Sequence, residues 1–136
     1  MTRAFRLHLL PGSFTIVHLD RSSSIPDWAS EGELFSATRT ADELSIVCDS
    51  ALVPEGTARS DGWSALKVEG PLDFDEIGVI ASLGEILAAA EISLFVISTW
   101  NTDYLMVRRD ALERAIEHLE ASGHSVTLQQ SGDSNV

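Results

Sequence analysis

A chain of 136 residues is long enough for one ordinary domain or two very small ones. With 44% apolar and 22% charged residues it lies near the globular average, which excludes wholesale disorder and collagen-like or coiled-coil architectures. The 21 acidic residues against 9 basic ones give a net charge of −12, a poor match to nucleic-acid phosphates or anionic membranes and a better one to cationic or zwitterionic partners.

The single cysteine, Cys48, sits in the apolar run Leu44–Cys48 and reads as a core residue. One thiol can neither staple the fold nor build a cysteine zinc site. The start of the chain lacks the uninterrupted apolar stretch of a secretory signal. The longest helix-like apolar segment, Ile77 to Ala90, carries Glu85 and is too short to span a bilayer. A cytoplasmic location is the expectation, with no membrane and no nucleic acid as partner.

Residues 5–10 and 14–19 read as strand segments around the turn Pro11-Gly12-Ser13. Asp20 to Ser24 is loop, and Pro26-Asp27-Trp28-Ala29 suits a short helical turn. Residues 34–39 and 44–48 form a hairpin across Thr40-Ala41-Asp42-Glu43. Residues 54–62 read as a linker. Ala65 to Glu69 alternates as a half-exposed strand, and Gly70-Pro71 stops it. Asp73 to Glu76 has the look of a helix start, with Ile77, Ile80, Leu83 and Leu87 on the apolar face. Residues 92–98 are a nearly all-apolar strand, hence central. Trp100 to Asp103 is a turn, and Tyr104 to Val107 returns. A second helix opens at Asp110, packs Leu112, Ala115, Ile116 and Leu119, and ends at Gly123. Residues 124–128 supply a last strand.

The second half therefore reads β-α-β-β-α-β: an antiparallel four-stranded sheet with two helices on one face, the ferredoxin-like arrangement. Shifted by sixty residues, Leu34-Phe35 falls on Leu94-Phe95 and Val47 on Val107, the echo of two related units. The first unit is reduced, with no room for the last helix. The expected division is 1–61, a reduced N-terminal unit; 62–128, the complete one; and 129–136, a disordered tail.

Two places invite a small ligand. One is the turn at Gly70 and Leu72 with the helix start Ile77-Gly78-Val79. Backbone N–H groups at a helix N-terminus attract a carboxylate, and Gly78 admits close approach of a ligand or simply of the neighbouring sheet. Asp73 and Glu76 read as capping groups rather than ligands. The other place is Thr99-Trp100-Asn101-Thr102-Asp103. Asp103 can pair with an ammonium or guanidinium group, Thr99, Asn101 and Thr102 offer hydrogen bonds, and Trp100 can wall a pocket. An ordinary hairpin turn is the alternative.

The segment Val68-Glu69-Gly70, Ile77-Gly78-Val79-Ile80-Ala81 and Ile86-Leu87-Ala88-Ala89-Ala90-Glu91-Ile92-Ser93-Leu94 resembles the ACT domain family of amino-acid-binding regulatory modules. Glu91 stands where that family's helix-to-strand corner usually has glycine. The segments Leu10 to Phe14, Thr38 to Val47, Trp63 to Phe74 and Ile97 to Val107 resemble, more narrowly, bacterial tandem-ACT proteins related to the CASTOR arginine sensors of animals. The resemblance implies two ACT-type units of α+β, ferredoxin-like fold. It also implies a ligand held at their seam by the loop 99–103, with Arg39 of the first unit facing it as a ligand-carboxylate contact or as a plain surface cation.

Catalysis has little support. His8, His18, His118 and His124 are scattered, the last placed as a cation at a helix end. No phosphate-binding glycine loop is present, and no metal or cofactor is expected. Trp28 and Trp63 read as core or seam residues. The function expected is a non-enzymatic amino-acid sensor, with a homodimer and an unidentified effector protein as partners. The rival is an interaction module that pairs through its sheet edge and fills the would-be pocket with Trp100 and Phe74. A basic amino acid fits Asp103 and the negative field, as does any free α-ammonium group.

Overall fold

A computed structural model describes residues 3–73 and 76–129. Phe74, Asp75 and the expected tail from residue 130 onward lie outside the described residues. The contacts divide the chain into a larger unit, running up to Pro11 and resuming at Ser64, and a smaller one, Gly12–Trp63.

The larger unit contains β1 (Arg6–Leu9), the second half of β5 (Arg59–Val68), α1 (Val79–Ala89), β6 (Phe95–Ser98), β7 (Asp103–Arg108), α2 (Leu112–Ala121) and β8 (Ser125–Leu128). Pairing gives the strand order β8-β1-β5-β7-β6. From β5 onward this is the expected β-α-β-β-α-β. The addition is β1, read from sequence with the first unit. It lies between β5, antiparallel with Leu7 opposite Val68, and β8, parallel with Leu7 opposite Val126. That parallel pair departs from the all-antiparallel expectation.

One face of this sheet is covered by helices. Leu7, Leu66, Val68, Leu105 and Val107 pack with Val79, Leu83 and Leu87 of α1 and Ala115 and Leu119 of α2 in one buried cluster. Strand residues two apart share a face, and helix residues three or four apart share a stripe. Each fully buried leucine contributes about 1.5–3 kcal/mol of transfer free energy. The first helix begins later than expected, at Val79 rather than at Asp73–Glu76. Its Ncap is Gly78 with φ 81°, and no side chain caps it. Ile77 is therefore not on the helix face: it is 96% exposed. At the other end Glu91 takes φ 60° and the Ile92 N–H bonds the Leu87 carbonyl at 2.9 Å, the left-handed corner that glycine usually supplies.

The smaller unit orders β3 (Ser36–Arg39), β4 (Leu44–Asp49), β2 (Phe14–Leu19) and the first half of β5. The expected linker 54–62 is strand from Arg59 onward, with Val17 opposite Arg59 and Ile16 opposite Ser60. Its polar side chains hid it, because strand pairing is made by the backbone. Here 3₁₀ turns at Asp27–Ser30 and Ser50–Leu52 stand in place of α-helices. Val17, Ala29, Leu44, Ile46 and Cys48 form the core, with Trp28 packed on it. Burial pushes the Cys48 thiol up to about 11. Asp49 accepts the Glu33 N–H at 3.2 Å, and burial raises its carboxyl above the usual value.

The internal echo is real in register but offset by 59 residues, not sixty. Ser36 opposite Val47 corresponds to Phe95 opposite Met106. A slip of one would set every side chain on the wrong face. With the offset of 59, buried Ile46 and Cys48 match buried Leu105 and Val107.

Candidate functional site

The turn after β5 and the loop joining β6 to β7 are tied together before any ligand is considered. The Thr102 hydroxyl donates to the Val68 carbonyl at 2.6 Å, and the Leu72 N–H donates to the Asn101 carbonyl at 2.7 Å. Gly70 permits this approach: a Cβ there would stand 2.9 Å from the Asn101 oxygen and 3.2 Å from the Thr102 Cβ. The loop closes on itself as well, with the Thr99 N–H donating to the Thr102 carbonyl at 2.8 Å.

Between this loop and the first turn of α1 lies a cleft of about 630 Å³. Leu72, Asp73, Glu76 and Gly78 to Ala81 line one side, and Ser98, Thr99, Trp100, Thr102 and Asp103 the other. The first intrahelical bond is Ser82 N–H to the Gly78 carbonyl, 2.8 Å. The N–H groups of Val79, Ile80 and Ala81 thus lie outside the helical ladder, at the positive end of the helix dipole. Opposite them Asp103 is half-buried, its Oδ1 accepting the Ser98 hydroxyl at 2.6 Å. The arrangement offers backbone donors for an anion and carboxylates for a cation across one space.

Of the residues singled out from sequence, Leu72, Gly78, Val79, Thr99, Trp100, Thr102 and Asp103 line this cleft. Gly70 and Asn101 do not line it but join the turn to the loop through the contacts above. Ile77 projects into solvent beside it. Gly78 starts the helix through its positive φ, and a Cβ there would meet nothing within 4 Å, so close packing on the neighbouring sheet is not its role. Arg39 stands on β3 in the smaller unit, where its guanidinium donates to the Arg21 carbonyl.

Sequence reasoning missed Asp73 and Glu76 as lining groups, because the Asp-x-x-Glu spacing imitates a helix cap. They instead close a turn of their own, the Glu76 N–H reaching the Asp73 carbonyl at 3.1 Å and the Asp73 N–H the Glu76 Oε1 at 3.4 Å.

Two histidines differ from expectation. His124 is not an exposed cation at the end of α2: it is 3% exposed, and its Nδ1 accepts the Phe5 N–H at 2.9 Å. Burial lowers its proton affinity and outweighs the favourable helix end. His8 meets a carboxylate that sequence spacing could not reveal. Its Nε2 lies 2.9 Å from Glu69 and its Nδ1 3.0 Å from Thr127, across three neighbouring strands. This trio stands apart from the cleft's lining residues. Among the described residues no group of three His, Cys, Asp or Glu side chains could hold a metal ion, and no helix is long and apolar enough to cross a membrane.

A sheet of ferredoxin-like order with two helices on one face, and a cleft at the entry to the first helix, defines a small α+β module of the ACT type. The ACT domain family model matches residues 58–121, and a second model, described as an N-terminal domain, matches residues 12–56. Residues 58–121 thus belong to the ACT domain family. Over 59 residues it is 42% identical to the human cytosolic arginine sensor for mTORC1 subunit 1, a stretch that is 43% of this chain and 18% of that protein. A crystal structure of an Agrobacterium tumefaciens protein is 39% identical, covers 98% of this chain and 100% of its own, and superposes with a TM-score of 0.90. The ligand-free regulatory subunit of aspartate kinase from Thermus thermophilus has a TM-score of 0.60 at 10% identity, covering 86% of this chain and 97% of its own, and speaks for the fold alone.

Proposed function

We propose that this protein is a regulatory module, not an enzyme, that binds a free amino acid in the cleft between α1 and the loop 99–102. One observation carries the reading: donors and acceptors for both ends of a zwitterion converge on one cleft. The open N–H groups of Val79, Ile80 and Ala81 suit an α-carboxylate, and Asp103 suits an ammonium or guanidinium group. Thr99 and Thr102 add polar contacts, and the exposed Trp100 indole forms a wall. The arginine-sensing relative and the surplus of acidic residues favour a basic side chain.

The exposure of Trp100, 78%, argues against a module that packs this indole into the cleft. Such an indole at the cleft's lip suits cover by a second ACT unit from another copy, which would put the ligand at a homodimer seam. The ligand then acts by population shift. It favours the closed arrangement by no more than its differential affinity for it, and an effector protein in the cytoplasm reads the result.

The test is thermal unfolding with each of the twenty amino acids at millimolar concentration. A ligand at 100 times its dissociation constant adds about 2.7 kcal/mol of stability, several degrees for a domain of this size. We expect a shift with one or two amino acids, abolished by Asp103→Ala, and a matching change in elution volume. No shift with any of them would overturn the sensor reading in favour of a ligand-free interaction module.

A further inference from the structure

Arg3 precedes every strand, yet it reaches the cleft. Its guanidinium donates to Glu76 Oε2, while Glu76 Oε1 takes the Asp73 N–H. The guanidinium carbon also lies 4.9 Å from the centroid of the Phe5 ring, a cation–π contact. Phe5 is fixed in turn: it is 6% exposed, its N–H bonds His124, and its ring stacks on that imidazole at 5.6 Å. Arg3 is thus anchored by the core on one side and by a cleft carboxylate on the other. Of the two ion-pair partners the carboxylate is the more enclosed, 22% exposed against 57% for the arginine side chain.

Among the described residues three carboxylates line the cleft, Asp73, Glu76 and Asp103. Arg3 cancels one of them. We propose that Arg3 is the cleft's built-in counter-ion and a specificity-determining residue: by holding Glu76 it limits how strongly the cleft prefers a cationic over a neutral ligand side chain. The inference rests on the cleft being the amino-acid site. Its physical content is a charge count. With Arg3 in place a ligand cation meets two uncompensated carboxylates; without it, three. A charge several ångströms away in partly aqueous surroundings changes the affinity of a cation by about three- to tenfold, and by less as salt rises. A neutral isostere is nearly indifferent to it.

L-arginine and L-citrulline make the comparison, since they share a shape and differ by the charge. Calorimetric titration at low salt should show Arg3→Gln raising the arginine-to-citrulline affinity ratio by about three- to tenfold. Arg3→Lys should keep the ratio of the unaltered protein. Glu76→Gln, which leaves the Arg3 cation uncompensated beside the cleft, should instead lower the ratio below that of the unaltered protein. The unfolding temperature of each variant, measured alongside, separates a change of preference from a loss of fold. An unchanged ratio in Arg3→Gln, with both compounds still binding, would overturn the counter-ion role and leave the site reading intact. No binding of either compound to the unaltered protein or to any variant would overturn the reading of the cleft as a site for a basic amino acid, and this inference with it.

Discussion

In the smaller unit the loop between β3 and β4 starts at Thr40; in the larger, the loop between β6 and β7 starts at Thr99. The Thr40 N–H donates to the Glu43 carbonyl at 2.9 Å, and the Thr99 N–H to the Thr102 carbonyl at 2.8 Å. In both the threonine hydroxyl accepts loop N–H groups, from Asp42 and Glu43 in one and from Thr102 in the other. What lies against each loop differs. The Thr40 carbonyl accepts the Arg21 Nε at 3.1 Å, so the chain supplies its own guanidinium there. The Thr99 loop faces the Gly70 turn and the open end of α1, and a cleft remains. The hairpin is a local product of its threonine turn. The cleft comes from the element laid over it.

The largest expected effects test the two cores under these hairpins. Leu105→Ala on β7 should cost about 2–5 kcal/mol in urea unfolding, and its counterpart Ile46→Ala on β4 should fall in the lower part of the same range. The reason is the shell: Leu105 is enclosed by strands and two helices, Ile46 by 3₁₀ turns and loops that can settle into the space. Equal losses would mean that the smaller unit is as rigidly packed as the larger.

An intermediate effect separates the loops. Thr102→Val removes the donor to the buried Val68 carbonyl and should cost about 1–3 kcal/mol, whereas the exposed Thr40→Val should cost about 0.5–1 kcal/mol. A loss at Thr40 as large as at Thr102 would show that the turn itself, not its tie to β5, sets the energy.

The smallest effect is in the pH dependence, where the units have opposite signs. Burial lowers His124 below the ordinary 6.5, so its contribution is complete above that pH and is lost as the pH falls below it. Burial raises Asp49 above the ordinary 3.8, so its contribution is complete below that value and is lost as the pH rises past it. Unfolding temperatures should therefore drop between pH 7 and pH 5, and drop less in His124→Gln. An identical slope in that variant would remove His124 from the account.

The alternation of Leu66 and Val68, the spacing of Leu83 and Leu87, and the Asp110 to Gly123 pattern carried the elements of the larger unit, because burial on one face leaves a periodic trace. Its failures have a common cause. Arg59 to Asp61 pair through backbone and show polar side chains, so they read as linker. Asp73 and Glu76 have a cap's spacing without a cap's place, since Gly78 starts the helix by its φ. The place of β1 beside β8, the Arg3 contact with Glu76 and the His8 contact with Glu69 join residues far apart in the chain, and no local pattern records them. The candidate site was half visible for the same reason: its loop is local, and the cleft is an encounter of the loop with segments some thirty residues earlier.

The interposed first strand also orders events in time. The smaller unit is one uninterrupted stretch, Gly12–Trp63, and can form as soon as that stretch is made. The larger cannot: β1 has a permanent neighbour in β8, joined by contacts such as Phe5 to His124 that span 119 residues. Closing so long a loop is slow, and domains tend to fold as they emerge from synthesis. Residues 6–9 must therefore wait, paired on one edge at most, until residues 125–128 arrive, and the larger unit is the last part of the molecule to be born.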